Sequence, residues 1–402
     1  MKILITAIRH FHDAPTGSAR VAFDEAAELT HRKEDVWVLA QGYPGAPEHE
    51  LRDGIHLLRY VPTRVSPWSP ARASAHQQAA TELLARYLPQ VDAVHGHTPL
   101  LSLAALDYYG DLVHSAYTIH SPVSMEMAIT WRNSSFLRRA TAPFGLAMLL
   151  RIEAECLRRS SAVTALSQYT IDCICRIHGK EAAKRVRLMP GWVDTSRFVP
   201  VVDRAGAKRR LGWPTYLPVI FTLRRLVARM GLDRLLTASH RLLEEGIKFH
   251  LVIGGRGPLQ SALEQQVRAL GLGNSVTLLG QVEDRVLPLA YAACDAFVLP
   301  TVELECFGLI ALEALSAGRP VLATPVGAIP EVISKFDSSW LAQSARAEDI
   351  ADLLRRYLAG QLPEHDPAKL HDKIHREYSR ERVLGEFIEA AVGRTKRYVC
   401  SR

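Results

Sequence analysis

The sequence predicts an α/β protein with two doubly wound, Rossmann-like domains, each built on a parallel sheet, that face each other across a cleft. Three observations predict this fold class. Short apolar runs alternate with longer amphipathic runs along the 402 residues, as strands and helices do in consecutive βαβ units. Several strand-like runs are apolar throughout, which is typical of parallel strands buried on both faces. The alternation stops at 190–218, where proline, glycine and charge predominate, and this stretch is interpreted as a linker.

The first series of elements precedes that linker. It opens with the strand-like run 2–7 and the helical run 18–32. The candidate strands that follow are 35–40, 55–60, 91–97, 115–120 and 161–167. A helix between two such runs is the crossover that parallel neighbours require. We expect residues 1–200 to form an N-terminal domain.

The second series repeats the same rhythm after the linker. Its candidate strands are 219–223, 249–255, 275–280, 295–300 and 320–325. Its candidate helices are 232–246, 259–271, 286–293 and 308–318. We expect residues 201–378 to form a second domain and 379–402 to form a final amphipathic helix that packs back toward the first.

The composition narrows the classes of binding partner that the protein is expected to have. The net charge is +7, and a basic balance favours anionic partners such as nucleotides, phosphosugars, nucleic acid or acidic lipid. Nucleic acid is disfavoured, because the chain has neither a basic low-complexity tail nor an aromatic stripe between basic residues. The six cysteines form no C-x-x-C pair, so we expect free thiols in a reducing, cytoplasmic setting and no metal centre. An oligomeric state is not predicted.

Two carboxylates stand where an apolar helix begins after the run 295–300. Glu305 precedes that helix and Glu313 lies within it. Loops at the carboxyl edge of a parallel sheet are where ligands bind, and a helix N-terminus offers free N–H groups to an anion. A phosphate on the amides of 307–309 is therefore expected, with the carboxylates accepting from sugar hydroxyls. The alternative is structural, with Glu305 favouring the helix N-terminus and Glu313 pairing with an arginine.

This stretch resembles a known family. Glu305 and Glu313 bracket Phe-Gly-Leu and resemble the E-x7-E motif of retaining GT-B glycosyltransferases of family 4, also called glycosyl transferases group 1. The run "ECFGLIALEALSAGRPVLATPVGAIPEVI" matches the nucleotide-sugar signature of that family almost throughout. The resemblance implies a GT-B fold and transfer of a hexose, with retention, from a nucleoside diphosphate sugar, a UDP-sugar by family frequency. It implies that Glu313 holds the ribose hydroxyls and that Glu305 lies at the donor sugar. The amides after Glu305 would hold the diphosphate; they belong to Cys306, Phe307, Gly308 and Leu309.

A second segment resembles the G-R-L-V-x-x-K-G segment of the family. Arg225 matches the arginine that neutralises the donor diphosphate, but Met230 stands where the family has lysine. Arg229 either supplies the missing charge or is a solvated surface arginine. Arg256, in the glycine-rich run 254–259, matches a loop near the nucleoside.

In the first domain, Gly17 and Ser18 match a glycine pair near the donor phosphates. His120 matches a histidine that contacts the donor sugar; alternatively it is a packed histidine satisfied by backbone. His95 and His97 alternate along a strand, so only one is expected to face the cleft, and no metal site is expected there. No D-x-D pair occurs, which supports a metal-independent donor site without a cofactor.

The resemblance implies that the second domain binds the donor and the first the acceptor, with His120, Glu305 and Arg225 as catalytic residues. A same-face, ion-pair-like substitution is expected, because no carboxylate is placed as a nucleophile. The acceptor, a glycan, lipid or small aglycone, is not predicted. A sugar-nucleotide epimerase and a non-catalytic nucleotide-sugar-binding subunit remain alternatives. The basic, amphipathic segment 132–161 either contacts an anionic membrane peripherally, at its inner face, or packs within the first domain.

Overall fold

The computed structural model describes residues 1–13, 16–62, 71–132 and 136–393. The chain divides into two compact units. The first comprises Met1–Pro190 with the described part of Val383–Arg402, and the second comprises Gly191–Arg382. The sequence predicts divisions at 200/201 and 378/379, whereas the compact units divide at 190/191 and 382/383. Residues 133–135 of the predicted membrane segment and 394–402 of the predicted C-terminal helix lie outside the described residues.

The first unit is built on an eight-stranded sheet in the order β3-β4-β2-β1-β5-β6-β7-β8. Every neighbouring pair is parallel except β3 and β4. The strands are β1 Lys2–Ala7, β2 Asp35–Gln41, β3 His49–Arg52, β4 Ile55–Tyr60, β5 Ala93–Gly96, β6 His114–Ile119, β7 Ala162–Ala165 and β8 Val186–Leu188.

Helices connect these strands and pack on them. They are α1 Gly17–His31, α2 Ala71–Tyr87, α3 Pro99–Tyr109, α4 Val123–Arg132, α5 Phe136–Arg159, α6 Gln168–His178 and α7 Lys180–Lys184. The last helix of the chain, α16 Arg380–Val392, enters this unit at Val383. Because both faces are covered, β1 is buried from Ile3 to Ala7, as its uninterrupted apolar run requires.

The second unit is built on a five-stranded, wholly parallel sheet in the order β11-β10-β9-β12-β13. The strands are β9 Val219–Leu223, β10 His250–Gly254, β11 Val276–Gly280, β12 Ala296–Leu299 and β13 Val321–Ala323. The helices are α8 Arg204–Arg210, α9 Leu232–Glu244, α10 Gln260–Ala269, α11 Leu287–Ala293, α12 Leu309–Ser316, α13 Ile329–Ile333, α14 Ala347–Leu358 and α15 Pro367–Tyr378. Short 3-10 turns occupy Ala228–Met230 and Ser338–Trp340.

The prediction of two α/β domains with parallel sheets is confirmed, but the stretch at 190–218 is not a bare linker. From Gly191 onward it belongs to the second unit. Its Trp192, Phe198 and Trp213 side chains are buried, and burying large aromatic rings anchors a segment that is poor in regular structure. The proline and glycine content that suggested a linker instead shapes an irregular, packed segment.

The fold brings specific loops to the carboxyl edge of each parallel sheet. In the first unit these loops follow β1, β5 and β6, and in the second they follow β9, β10, β12 and β13. Every candidate site residue except Glu313 lies in or next to one of these loops, and Glu313 lies on α12, the helix that the β12 loop leads into. Among the described residues, none of the helices combines the length and apolar character needed to cross a membrane.

Candidate functional site

Glu305 is fixed at the carboxyl edge of the second sheet through both its backbone and its side chain. Its carbonyl accepts from the N–H of Ala328 at 2.8 Å, and a Cβ added at Gly327 would stand 2.1 Å from the same oxygen. Its carboxylate accepts from Arg224 Nη2 at 2.6 Å and from Thr301 Oγ1 at 3.3 Å. The side chain keeps 13% of its surface exposed. The carboxylate is therefore held in one place while part of it stays accessible.

Arg224 is the buried cation of this edge. It follows β9, and its Nη2 donates to Thr301 Oγ1 at 2.9 Å as well as to Glu305. The same nitrogen contacts the sulfur of Met230. Within the described part of the chain, the buried Nε of Arg224 has no hydrogen-bond partner. A buried guanidinium with one unsatisfied donor is costly unless another acceptor reaches it.

The three positions of the predicted diphosphate segment take different places. Arg225 is exposed. Arg229 is half-buried, and its Nη1 donates to the carbonyl of Leu304 at 2.7 Å. Met230 is buried. Arg229 thus braces the loop that carries Glu305, which corrects the alternative of a solvated surface arginine, and its role toward a donor stays a prediction.

The start of α12 offers backbone donors beside this loop. Gly308, the residue before the helix, has φ 84°, in the left-handed region that glycine adopts without strain. No hydrogen bond among the described residues takes up the N–H groups of Phe307, Gly308 or Leu309. The Phe307 and Leu309 side chains pack where Gly191 leaves room, and Cys306 is buried. These N–H groups are available to an anion at the positive end of the helix.

Glu313 lies on α12, half-buried, beside the ring of Tyr291. Burial raises the pKa of the Tyr291 hydroxyl well above its ordinary value, and the neighbouring Glu313 carboxylate raises it further. Within the described residues the buried Tyr291 hydroxyl makes no hydrogen bond. It therefore lies beside Glu313, the carboxylate that the sequence assigns to ribose binding, without fixing its orientation.

The glycine-rich loop after β10 packs directly on the Arg224 segment. Gly255 has φ 126°, and a Cβ there would stand 1.8 Å from the carbonyl oxygen of Arg224. The N–H of Leu226 donates to the carbonyl of Arg256 at 3.0 Å, and the Arg256 side chain is exposed. Glycine is thus required for close backbone approach, while Arg256 stays at the surface beside the site.

In the first unit, the predicted site residues gather at the carboxyl edge of the other sheet. Gly17 and Ser18 open α1, whose N-cap Thr16 accepts from the N–H of Ala19 at 3.2 Å. His120 directly follows β6 and is partly exposed. The Gly17 pair and His120 therefore share one edge, at the ends of β1 and β6.

Behind His120 lies a chain of buried polar side chains that ends on Glu25 of α1. His120 Nε2 lies 2.8 Å from His97 Nδ1, and His97 Nε2 lies 2.8 Å from Glu25 Oε2. Glu25 Oε1 lies 2.7 Å from His95 Nδ1, and His95 Nε2 lies 2.8 Å from Thr118 Oγ1. Glu25, His95, His97 and Thr118 are all buried.

The charges in this chain are set by burial and by one carboxylate. Burial acts to raise the pKa of Glu25, but His95 and His97 outweigh it and lower that pKa to about 2. Burial lowers the pKa of His97, and it lowers the pKa of His120 well below the ordinary value, with His97 and His95 adding to the effect. Glu25 is therefore ionised, while His97 and His120 are neutral.

The expectation that His95 and His97 point to opposite sides is wrong. Both rings contact Glu25, and their centroids lie 4.4 Å apart. Side chains two residues apart along a strand point to the same face, and His95 and His97 keep that relation although β5 ends at Gly96. Glu25, His95 and His97 offer ligand atoms that all lie within 4.8 Å of one another.

Two residues of these sites were not identified from the sequence. Arg224 precedes the matched Arg225, and its signal was an arginine directly after a buried strand, facing a loop with carboxylates. Glu25 stands in the buried stripe of α1 with Ala22, Ala26 and Leu29. A charged residue at i+3 in such a stripe needs buried partners, and two histidines were in the sequence to supply them.

Both halves of the chain match sequence profiles of glycosyltransferase families. Residues 15–197 match the family described as "Glycosyltransferase Family 4". Residues 203–377 match the family described as "Glycosyl transferases group 1". The two matches follow one another along the chain, as the two units do.

Individual relatives share about a third of their residues or fewer with this chain over the aligned regions. The chain is 28% identical over 353 residues to a 2-deoxystreptamine glucosyltransferase of Streptomyces kanamyceticus. The aligned region covers 84% of this chain and 87% of the relative. It is 30% identical over 223 residues to a GDP-mannose-dependent alpha-(1-6)-phosphatidylinositol monomannoside mannosyltransferase of Mycobacterium tuberculosis, which covers 52% of this chain and 57% of the relative. A solved structure of sucrose-phosphate synthase from Thermosynechococcus elongatus aligns with a TM-score of 0.79 at 19% identity, covering 98% of this chain and 100% of that one. This last likeness concerns the fold.

Proposed function

The chain belongs to the GT-B glycosyltransferases of the family 4 type, and from that premise we propose that it transfers a hexose from a nucleoside diphosphate sugar, with retention, to an acceptor hydroxyl. One observation carries the proposal. The Arg224–Glu305 ion pair stands at the sheet edge beside the open N–H groups that precede α12. A fixed cation and carboxylate next to helix amides match the anionic diphosphate and the hydroxyls of such a donor.

Each donor group has a residue suited to it. The diphosphate would bind the amides of 306–309, with Arg225 as an exposed neutralising cation. Glu313, on α12, would accept from the ribose hydroxyls. Glu305 would accept from hydroxyls of the hexose, and its attachment to Arg224 would hold it there. Arg256, at the surface beside this segment, would face the nucleoside.

Arg224 adds a cation that the Met230 position lacks. Its Nη2 touches the Met230 sulfur, so a guanidinium occupies the neighbourhood in which the family has a lysine ammonium. The unsatisfied Nε would gain an acceptor when a phosphate oxygen or sugar hydroxyl binds. Arg224 would therefore supply the buried cation that the lysine supplies in the family, and Arg229 braces the loop.

The chemistry follows from this charge distribution. The bond between the anomeric carbon and the diphosphate oxygen would break as the acceptor oxygen bonds to that carbon from the same face of the sugar. The proton of the acceptor hydroxyl would pass to the departing diphosphate oxygen. Arg225 and the amides of 306–309 would stabilise the negative charge that develops on the diphosphate. Glu305, engaged by Arg224 and Thr301, is suited to hydroxyl binding, and no covalent intermediate is assigned to it. Metal-independence is part of the proposal, because charge neutralisation comes from these groups.

A UDP-sugar is the first donor to test, and a GDP-sugar is the second. The names of the relatives support both choices, since one is a glucosyltransferase and the other is GDP-mannose-dependent. Glycan, lipid and small aglycone acceptors are all to be offered. The purified full chain is incubated with UDP-glucose or GDP-mannose and each acceptor class, with and without EDTA, and products are identified by mass spectrometry and by the anomeric NMR signal.

The expected result is an α-linked product from an α-linked donor, formed equally with EDTA, by the wild-type chain. Glu313→Ala and Arg225→Ala should each abolish turnover. Near-normal kcat/KM in either variant would contradict the site assignment. An epimerised donor formed without acceptor would favour an epimerase, and donor binding without any product would favour a non-catalytic subunit.

A cytoplasmic location, with peripheral membrane contact, is part of the proposal. The five cysteines within the described residues are free. In α5 the second half is buried from Ile152 to Leu157 at several positions, while Phe144 in the first half is 81% exposed. An exposed aromatic ring on a basic helix suits an anionic lipid surface. Sedimentation with vesicles of phosphatidylglycerol should deplete the protein, and Phe144→Ser should reduce this depletion, whereas equal depletion would contradict the contact.

A further inference from the structure

The hydrogen bonds that link Glu25 to His120 have a defined donor-to-acceptor order, because the ionised Glu25 carboxylate can only accept. Glu25, as an ionised carboxylate, is an acceptor at both oxygens. His95 Nδ1 and His97 Nε2, which contact these oxygens at 2.7 and 2.8 Å, must therefore both carry hydrogen. The position of every other proton in the chain follows from that.

The protons can be assigned outward toward the surface. His97 is neutral and carries its hydrogen on Nε2, so its Nδ1 has a lone pair. That lone pair faces His120 Nε2 at 2.8 Å, so His120 must carry its hydrogen on Nε2. The neutral His120 ring then has its lone pair on Nδ1. Among the described residues, no hydrogen bond occupies this Nδ1 atom.

We infer that Glu25, acting through His97, is a positioning residue that holds His120 as the Nε2–H tautomer and presents its Nδ1 lone pair as an acceptor for a hydroxyl of the substrate. The binding of a substrate hydroxyl rests on the proposed function, whereas the tautomer of His120 is a property of the protein without substrate. Among the side chains that link Glu25 to His120, only His120 is partly exposed. A buried carboxylate thereby fixes a surface-facing acceptor through one intervening ring.

The other end of the chain leads away from His120 and provides a matched control. His95 Nε2 lies 2.8 Å from Thr118 Oγ1, and Thr118 Oγ1 lies 2.7 Å from Thr164 Oγ1. Thr164 is as buried as His97, but it does not lie between Glu25 and His120. Thr164→Val removes a buried hydrogen bond at nearly constant volume without interrupting the path to His120.

A divalent metal is the competing occupant of this cluster, since a carboxylate and two imidazoles are typical zinc ligands. The contacts favour protons instead. The carboxylate oxygens lie 2.7 and 2.8 Å from the ring nitrogens, which are hydrogen-bond distances, and the remaining ring nitrogens of His95 and His97 have partners of their own. Metal analysis of the purified chain decides between the two occupants.

The tautomer is measured directly on the full-length chain without substrate. Long-range ¹H–¹⁵N spectra of histidine-labelled protein distinguish protonated from lone-pair nitrogens, and loss of signals in His120→Asn assigns the ring. We expect His120 to be protonated at Nε2 only. We expect His97→Phe, which removes the acceptor, to give a mixture of tautomers, and Thr164→Val to resemble the wild type.

Kinetics and binding separate this inference from the proposed function. With a working donor and acceptor, His97→Phe should lower kcat by about 10²-fold, the lower end of what a misplaced acid–base group costs. Nucleotide affinity should stay unchanged, because the proposed nucleotide site lies in the second unit. A wild-type chain without transferase activity would contradict the proposed function and leave the tautomer measurement valid.

Three results would overturn the inference. The first is His120 protonated at Nδ1 in the wild type. The second is an equal change in the His120 signals in Thr164→Val and His97→Phe. The third is one equivalent of tightly bound zinc per chain.

Discussion

The two units place different polar chemistry at the same edge of the same kind of sheet. In the first unit, Glu25 anchors a chain of neutral rings that ends at His120. In the second unit, Arg224 and Glu305 form an ion pair beside open helix amides. One edge thus contains a buried carboxylate in contact with imidazole rings, and the other contains two opposite charges.

The difference shows that topology determines where a site lies and that single buried residues determine what it can do. A neutral hydrogen-bond chain orients an acceptor, and protons disrupt it once the pH falls to the lowered pKa values of His97 and His120. An arginine–carboxylate pair suits a charged ligand. The predictions below test this contrast, beginning with the largest effect.

Removing Arg224 should cost most. Arg224→Ala leaves the mostly buried Glu305 carboxylate without its cation, and breaking such a pair from one side typically costs about 3–5 kcal/mol. We expect a loss of that size in the free energy of unfolding of the second unit, together with loss of nucleotide binding. Urea unfolding read by hydrogen exchange in peptides of β9 and β10 measures the first effect, and isothermal titration with UDP and GDP measures the second.

The matched control is an exposed pair in the same unit. Arg355 contacts Glu245 through two nitrogens, at 2.9 and 2.8 Å, with both side chains more than a third exposed. Exposed pairs contribute only about 0–1 kcal/mol, so Arg355→Ala should change the free energy of unfolding little. Equal losses in the two variants would show that the buried Arg224–Glu305 pair contributes no more to the free energy of unfolding than the exposed Arg355–Glu245 pair.

Crowding the backbone of Glu305 should have the next largest effect. Gly327 has φ 64°, and an added Cβ would stand 2.1 Å from the Glu305 carbonyl oxygen. Gly327→Ala should therefore cost about 2–4 kcal/mol, from left-handed strain and overpacking together, and should weaken nucleotide binding. Gly360 has φ 67° with nothing within 4 Å of an added Cβ, so Gly360→Ala should show the strain alone. Thermal unfolding and nucleotide titration measure the stability and the nucleotide affinity of both variants. Equal values in the two variants would contradict a steric clash between residue 327 and the Glu305 carbonyl.

Acidification should destabilise the first unit more than the second. Burial lowers the pKa of His97 and His120, and it lowers the pKa of His10 to about 4. In the second unit, burial lowers the pKa of His365 to about 4 and lowers that of His250. More histidines with lowered pKa values therefore lie in the first unit.

The sign follows from which state binds protons. Between pH 6.5 and the lowered pKa, unfolded histidine is protonated and the folded ring is not, so the free energy of unfolding falls as the pH falls. A buried histidine with a pKa near 4 contributes a loss of about 2 kcal/mol between pH 7 and pH 5. Hydrogen exchange, corrected for its intrinsic pH dependence, should show a larger loss of protection in β5 and β6 than in β9 and β10. The reverse order would contradict the contrast between the units.

Replacing Met230 should have the smallest effect. Met230 is buried and its sulfur contacts Arg224, but the positive charge at this position is supplied by Arg224. Met230→Leu conserves volume and should cost less than about 1.5 kcal/mol, with kcat/KM close to that of the wild type. A large loss of kcat/KM with an unchanged melting temperature would give the sulfur a chemical role.

Much of the fold could be predicted because apolar runs that are buried on both faces leave a clear signal. β1, β4 and β9 begin and end where the sequence predicted. β3, His49–Arg52, was missed because three of its four residues are polar, the fourth, Leu51, is exposed, and the strand pairs only at the sheet edge. β8 was missed because it has three residues, and only Val186 is buried.

The site was predictable only in part for a related reason. Glu305 and Glu313 stand out because they interrupt an apolar pattern in the sequence. Arg224 does not, because neighbouring Arg225 is an equally plausible cation, and burial, which sequence cannot assign to adjacent residues, distinguishes them. The contact between His97 and Glu25 joins positions 72 residues apart in the chain, and a local sequence pattern does not indicate such a pairing.

The most direct test of the central claim is hydrogen exchange of the full chain with and without nucleotide. UDP, GDP and ADP, and UDP-glucose and GDP-mannose, are added in turn at saturating concentration. The account predicts that at least one of them protects the second-unit loops 224–231, 254–259 and 300–313, and that Arg224→Ala removes this protection. A nucleotide that binds yet leaves these loops unprotected, or no protection with any of the five, would contradict the assignment of the donor site.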